Sequence, residues 1–244
     1  MDTGVRIGVL TLFPEIVERY FATSILGKAV QRGAVLPNVV DVRDFAVDRH
    51  RTCDDAPYGG GAGMVLLPEP LSRALESVDA RQRHVIFPSP SGKRFDQVTA
   101  ERLSRIDDFV LICGRYEGVD QRIIDEYVDE ELSIGDYVLS SGELASMVIV
   151  DAVYRLRRGM IRPESVREES FQDGLLEYPH YTRPEEFRGR SVPDVLLSGH
   201  HERIARWRRE MQLAKTARNR PDLLEKIELT SQEKQMIEEL SKEE

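Results

Sequence analysis

Cysteine is nearly absent: Cys53 and Cys113 are the only two in 244 residues. Two thiols cannot build a disulfide framework, and a reducing, cytoplasmic setting fits that scarcity. The five histidines are scattered rather than spaced as zinc ligands, which argues against a protein-bound structural metal. Long apolar runs are missing as well. Nothing approaches the roughly 20 residues needed to cross a bilayer, so no membrane partner is expected. The first residues, MDTGVRIGVLTLF, enter a strand-like run without the basic and cleavage regions of a secretion signal. No G-x-x-x-x-G-K-[ST] occurs, no G-x-G-x-x-G opens a helix after a strand, and there is no G-x-S-x-G elbow. These absences remove the common NTPase, dinucleotide-binding and nucleophile-elbow readings.

What remains is an ordinary globular composition, 41% hydrophobic and 32% charged, with enough chain for one large domain or two. The net charge of -9 argues against a nucleic-acid partner when taken as a sum. Its distribution weakens that conclusion. Residues 183–220 hold ten Lys/Arg against five Asp/Glu, a net of +5, whereas residues 221–244 hold three against eight, a net of -5. Local charge, not the total, makes an electrostatic footprint. A plain solvated helix face would look the same.

Taken in order, Val5 to Phe13 reads as a buried strand and Glu15 to Arg32 as one helix closed by Gly33. Val39 to Phe45 predicts a second strand. The loop Gly59–Gly63 follows, then a helix over 68–78, a short strand Val85–Phe87 with a turn at Pro88–Gly92, and a helix over 96–106. Phe109 to Cys113 is a strand and Asp120 to Tyr127 a helix. Ser140 and Glu143 have the spacing of a capping box for a helix over 142–158. Strands alternating with helices predict a mainly parallel α/β sheet, with ligands beyond the strands' carboxyl ends. The periodless stretch after Gly159 reads as a linker. Beyond it Ser198 caps a helix over 200–217, Pro221 opens a short one, and Thr230 with Glu233 makes a second capping box. The expected division is an α/β domain over 1–159, a linker over 160–174 and a smaller helical domain over 175–244.

The chain is organised around Leu111–Tyr154. Two glycine-bearing turns there, at Gly114–Gly118 and around Gly135, each follow a strand-like run and let backbone approach a ligand closely. They predict a pocket. The Gly59–Gly63 loop is either a phosphate cradle or a plain flexible loop. From these features alone a nucleotide hydrolase and a non-catalytic RNA-binding protein both stay open, although the lysine and metal carboxylates of a hydrolase are lacking.

Seven blocks carry a resemblance. They are Thr11–Pro14, Pro57–Met64, Cys113–Gly118, Ser133–Leu139, Gly174–Leu176, Pro179–Pro184, and Ser198–Glu202 with Trp207–Arg208. In this order, over nearly the whole chain, the sequence resembles the bacterial tRNA (guanine-37-N1)-methyltransferases, which are knotted SPOUT-type enzymes. The resemblance implies S-adenosylmethionine as methyl donor, tRNA with guanosine at position 37 as acceptor, and a homodimer sharing its active site between subunits. It also implies a deep trefoil knot, whereas the residues alone suggest a doubly wound open sheet. Carried over by position, the donor pocket uses Ser89, Pro90, Gly114, Tyr116, Glu117, Ile134, Gly135, Tyr137, Leu139 and Gly142.

For catalysis the resemblance points to Arg155, to stabilise charge on the guanine, and Glu169, at the place of the family's general base. That base is often Asp, so the extra methylene alters its reach. Ser141, Ala145 and Ala56 stand where the family often has Gly, Pro and a basic residue. Candidate RNA contacts are the basic Arg49, His50, Arg51, Arg183, His201 and Arg208, positioning phosphates, with Asp54 and Tyr58 toward the target region. Dependence on Mg²⁺ is implied too, with no ligand set to locate the ion.

Overall fold

The computed structural model describes residues 4–157, 159–160, 169–171 and 173–240. The chain divides into two compact units, Met1–Ile161 and Arg162–Glu244. Most of the residues assigned above to a linker, 161–168 and 172, lie outside the described residues, as does Arg158.

The first unit is built on a parallel sheet. In chain order it contains β1 (Val5–Thr11), α1 (Pro14–Phe21), α2 (Ser24–Gln31), β2 (Val35–Asp41), the short pair β3 (Asp54–Asp55) and β4 (Val65–Leu66), and α3 (Pro68–Ser77). Then follow β5 (His84–Arg94), α4 (Gln97–Leu103), β6 (Asp108–Ile112), α5 (Gln121–Tyr127), β7 (Glu130–Ser133) and α6 (Gly142–Arg155). Five strands join in the order β2-β1-β6-β5-β7, all parallel. Side chains alternate between two cores, as the period of a strand requires. Val5, Ile7 and Val9 of β1 and Phe109 and Leu111 of β6 face one core with α1, α2 and α6. Leu10, Val110 and Ile112 face the other with α3 and α5. A sheet covered on both faces needs strands apolar at nearly every position, and β1 and β6 are written that way.

Several expectations are corrected. The single helix over 15–32 is two helices, because Thr23 turns extended and its hydroxyl donates to Arg19 O, closing the first. The strand foreseen at 39–45 begins earlier, at Val35, and ends at Asp41. There the Asp41 side chain accepts from Arg43 N and winds Val42–Phe45 into a 3₁₀ turn. The strand at 85–87 is the front of a longer one. After Pro88 the chain leaves the ladder and rejoins it, so that Pro88 and Lys93 both pair with Leu132. The capping box at Ser140 and Glu143 does not form. Ser141 occupies the cap position without a side-chain hydrogen bond, and Glu143 is buried instead. Ser198 likewise does not cap: its hydroxyl donates to Val195 O, and His200 precedes the helix.

The second unit contains the hairpin β8 (Glu186–Phe187) and β9 (Arg190–Ser191), then α7 (Asp194–Leu197), α8 (His201–Asn219), α9 (Pro221–Leu224) and α10 (Ser231–Leu240). The Thr230–Glu233 box is present. Thr230 N donates to Glu233 Oε2 at 2.8 Å and Glu233 N to Thr230 Oγ1 at 3.3 Å. Arg209 Nε also donates to Glu233, at 2.7 Å, tying α10 to α8. No described helix is long and apolar enough to cross a membrane.

Candidate functional site

Three segments leave the carboxyl ends of neighbouring strands: 88–92 within β5, 113–119 after β6, and 134–141 after β7. Together they enclose a cavity of about 360 Å³. That size lies within the range of small-molecule sites. All ten residues assigned to donor binding, Ser89, Pro90, Gly114, Tyr116, Glu117, Ile134, Gly135, Tyr137, Leu139 and Gly142, line it.

The walls are held mainly by backbone. Gly142 N donates to Gly114 O at 2.8 Å, and Arg115 bridges Ser141 in antiparallel fashion. The approach is so close that a Cβ on Gly142 would lie 2.6 Å from Gly114 N, closer than a side chain tolerates. On the far side Ser89 Oγ sits 2.7 Å from Ser91 Oγ, and the Ser133 hydroxyl donates to Gly135 O at 3.1 Å. Tyr116 is held at φ 59, a left-handed conformation rare for a residue with a Cβ. The cavity therefore offers amide and carbonyl groups in fixed directions beside Ile134 and Leu139. A nucleoside with a flexible polar tail fits such a mixture.

A second backbone ladder reaches this wall from β4. Glu117 N donates to Met64 O at 2.9 Å, Leu66 N to Gly118 O at 3.0 Å, and Asp120 N to Leu66 O at 3.3 Å. The glycine loop is thus connected to the cavity wall rather than independent of it. Tyr58, at its tip, is fully exposed, and Asp54 lies on β3. Arg49, His50 and Arg51 are exposed in the preceding loop. Arg51, at φ 56, pairs with Asp44 and donates from Nε to Arg43 O at 3.2 Å, so it helps shape that loop as well.

Arg155 is the half-buried last residue of α6, and Glu169 lies half-buried in the second unit. Arg183 and His201 are exposed there, as are Arg203 and Arg206 on α8. Arg208 stacks 4.7 Å over the Tyr178 ring. The basic stretch is partly spoken for, because Arg209 pairs with Glu233 and Arg220 with Asp222.

Sequence reasoning missed the cavity-lining roles of Gln121, Ile124 and Glu131. Spacing alone gives no signal for them, since each is brought in by the fold. Burial pushes the Cys113 thiol well above its usual range, and Cys53 upward too, so neither is a ready nucleophile. Among the described residues no group of three or more His, Cys, Asp or Glu could hold a metal ion.

Comparison with known proteins adds the following. Residues 5–226 match the family model described as tRNA (Guanine-1)-methyltransferase TrmD. A tRNA (guanine-N(1)-)-methyltransferase of Treponema denticola is 61% identical over 221 residues, covering 91% of this chain and 91% of that protein. The one from Treponema pallidum is 56% identical over 238 residues, 98% and 95% of the two chains. The one from Borreliella burgdorferi is 58% identical over 217 residues, 88% and 91% of the two.

Proposed function

The chain belongs to the tRNA (guanine-1)-methyltransferase family and is a tRNA (guanine-N1)-methyltransferase; from that premise we propose that it methylates N1 of guanosine 37, beside the anticodon, using S-adenosylmethionine. The observation that carries the site assignment is the convergence of three strand-end segments on one cavity lined by all ten donor-binding candidates. When bound, S-adenosylmethionine supplies a methyl group on a positively charged sulfur, the electrophile for in-line displacement.

This chain's residues do the rest. Guanine N1 carries a proton near neutrality and becomes a nucleophile only by losing it. Glu169 takes that proton, as a carboxylate within hydrogen-bond reach can. Arg155 stabilises the negative charge that develops on the guanine as the proton leaves. The fixed walls of the cavity orient the donor, and most of the rate comes from positioning and electrostatics. Arg49, His50 and Arg51, with Tyr58 and Asp54, receive the anticodon arm on one unit, while Arg183, His201 and Arg208 hold phosphates on the other. The target base leaves its stack to reach the donor.

The knot implied by the resemblance is part of this reading, and the close backbone approach of the segments after β6 and β7, with Gly142 N donating to Gly114 O at 2.8 Å, is consistent with it. The homodimer is part of the reading too. Leu144 and Val148, 54% and 46% exposed and one turn apart on α6, offer an apolar strip beside the site. The Mg²⁺ dependence implied by the resemblance has no group of three or more His, Cys, Asp or Glu among the described residues to locate it, and no step is routed through the ion.

Transfer of labelled methyl to matched transcripts tests the proposal. Transcripts with guanosine at position 37 should accept methyl, and those with adenosine there should not. Undiminished transfer to the adenosine transcript would overturn the substrate assignment.

A further inference from the structure

Glu143 lies in the first turn of α6 with no exposed surface. It points inward, where the end of β1 and the turn after β6 meet. Thr11 donates from Oγ1 to Glu143 Oε1 at 2.6 Å, and Arg115 Nη2 lies 3.2 Å from Oε2. The latter approach is an ion contact rather than an aligned hydrogen bond, since neither Glu143 Oε2 nor Arg115 Nε finds a hydrogen-bond partner. The Arg115 guanidinium lies 4.0 Å over the Phe13 ring, and Phe13 N donates back to Thr11 Oγ1 at 2.9 Å. Thr11, Phe13, Arg115 and Glu143 thus close a ring across three distant parts of the chain.

Stability alone is a poor reason for this ring. A buried ion pair gains little over well-packed apolar side chains of the same volume, and its desolvation is offset only when every polar atom is satisfied. Here two are not. Nor does Glu143 need burial to favour the helix start, since an exposed acid in the first turn does that equally well.

Its geometric effect is specific. Arg115 lines the cavity while its guanidinium is drawn toward Glu143. Its carbonyl accepts from Gly118 N at 3.1 Å, and its backbone bridges Ser141. The next residue, Tyr116, is the one held left-handed. The ring therefore sets both the turn at Gly114–Tyr116 and its spacing from Ser141–Gly142.

We propose that Glu143 is a positioning residue for the methyl donor: its buried carboxylate anchors Arg115 and thereby holds two walls of the cavity at the separation the donor needs. This role presupposes that the cavity is the donor site. It acts before chemistry, on donor affinity, and leaves the RNA grip untouched.

Calorimetric binding of S-adenosylmethionine to the full-length protein, with tRNA affinity and single-turnover transfer measured alongside, tests the role. Glu143→Gln keeps the shape and loses the charge. It should raise the donor Kd about tenfold or more, with tRNA affinity and the rate at saturating donor within about threefold of wild type. Arg115→Gln should raise the donor Kd to the same extent, and the double variant should be no worse than either alone, because the two act as one unit. If Glu143→Gln does not fold, Thr11→Val decides, since it removes the second anchor while keeping the ion pair; a raised donor Kd is again expected. Unchanged donor affinity in a folded variant, or single effects that simply add, would overturn the inference alone. Failure of the wild-type protein to bind S-adenosylmethionine would overturn the cavity assignment and the inference with it.

Discussion

The Glu117 side chain fills the space that a side chain on Gly63 would need. A Cβ on Gly63 would lie 2.6 Å from Glu117 Cγ and closer still to Oε1. Gly63 closes the glycine loop, and Glu117 lines the cavity, so one missing methyl joins the two. Gly63→Ala should therefore disturb more than its own backbone. Gly60 makes a suitable control: it is also left-handed, at φ 78, but nothing lies within 4 Å of a Cβ there. Each substitution carries strain of about 1 kcal/mol. Only Gly63→Ala should also weaken S-adenosylmethionine binding, by roughly tenfold, or about 1.4 kcal/mol. Equal donor affinities in the two variants would show that Glu117 does not depend on the loop.

Tyr20 on α1 donates to Asp151 Oδ1 on α6 at 2.5 Å, one helical turn before Arg155. Burial, and then the hydrogen bond and charge of Asp151, raise the Tyr20 hydroxyl well above its ordinary 10.0. A raised acid is held neutral by the fold. Its contribution is present in full below pH 10 and is lost as pH rises beyond it, while the unfolded chain ionises. Tyr20→Phe should cost about 1–3 kcal/mol at neutral pH by leaving Asp151 short of a donor. Urea unfolding should show the gap from wild type narrowing at about pH 11. A constant gap would mean that the hydroxyl is not held neutral.

Glu130 behaves in the opposite sense. Burial pushes its carboxyl up, but hydrogen bonds from His84 and Arg102, each 2.6 Å long, outweigh burial and bring it below the ordinary 4.5. A depressed acid adds stability above its unfolded value and loses it as pH falls through the folded one. Glu130→Gln should lower stability at pH 7 by about 1–2 kcal/mol and flatten the acid limb below pH 4.5. Parallel acid limbs for wild type and variant would be the contrary result.

For catalysis, Glu169→Ala should cut single-turnover methyl transfer by roughly 10²–10⁴-fold, the usual contribution of a general base. Donor affinity should stay near wild type, because Glu169 is not among the residues of the cavity. Arg155→Ala should also act on the rate more than on donor binding. Near-normal turnover in the glutamate variant would remove Glu169 from the mechanism.

Much of the fold is legible wherever local chemistry decides. Val5, Ile7 and Val9 alternate with Gly8 and Leu10 as a doubly covered strand must, and Thr230 with Glu233 announces its helix from three residues away. Where distant partners decide, the residues mislead. Glu130 is an acid within a strand of the sheet, where His84 and Arg102 pair with it from other elements. Glu143 has capping spacing, but its partner is Thr11, 132 positions away. The apolar positions from Ile16 to Val30 run across the break at Thr23, but Ile16 and Ile25 are exposed, and it is Val17 and Phe21 of one helix and Leu26 and Ala29 of the other that meet the same core. The cavity follows the same division. Each turn is visible as glycine after a strand, and the two in Leu111–Tyr154 already predict a pocket, but that all three meet there is a fact of sheet order.

The excursion in β5 has one more consequence. Because Pro88 and Lys93 share Leu132 as their partner, the four residues between them form an eyelet threaded on a single bead. Lengthening or trimming the eyelet changes how far Ser89 and Pro90 lean over the cavity without sliding any strand against its neighbour. A change of length there can then retune ligand recognition at that rim while the scaffold's register stays as it is.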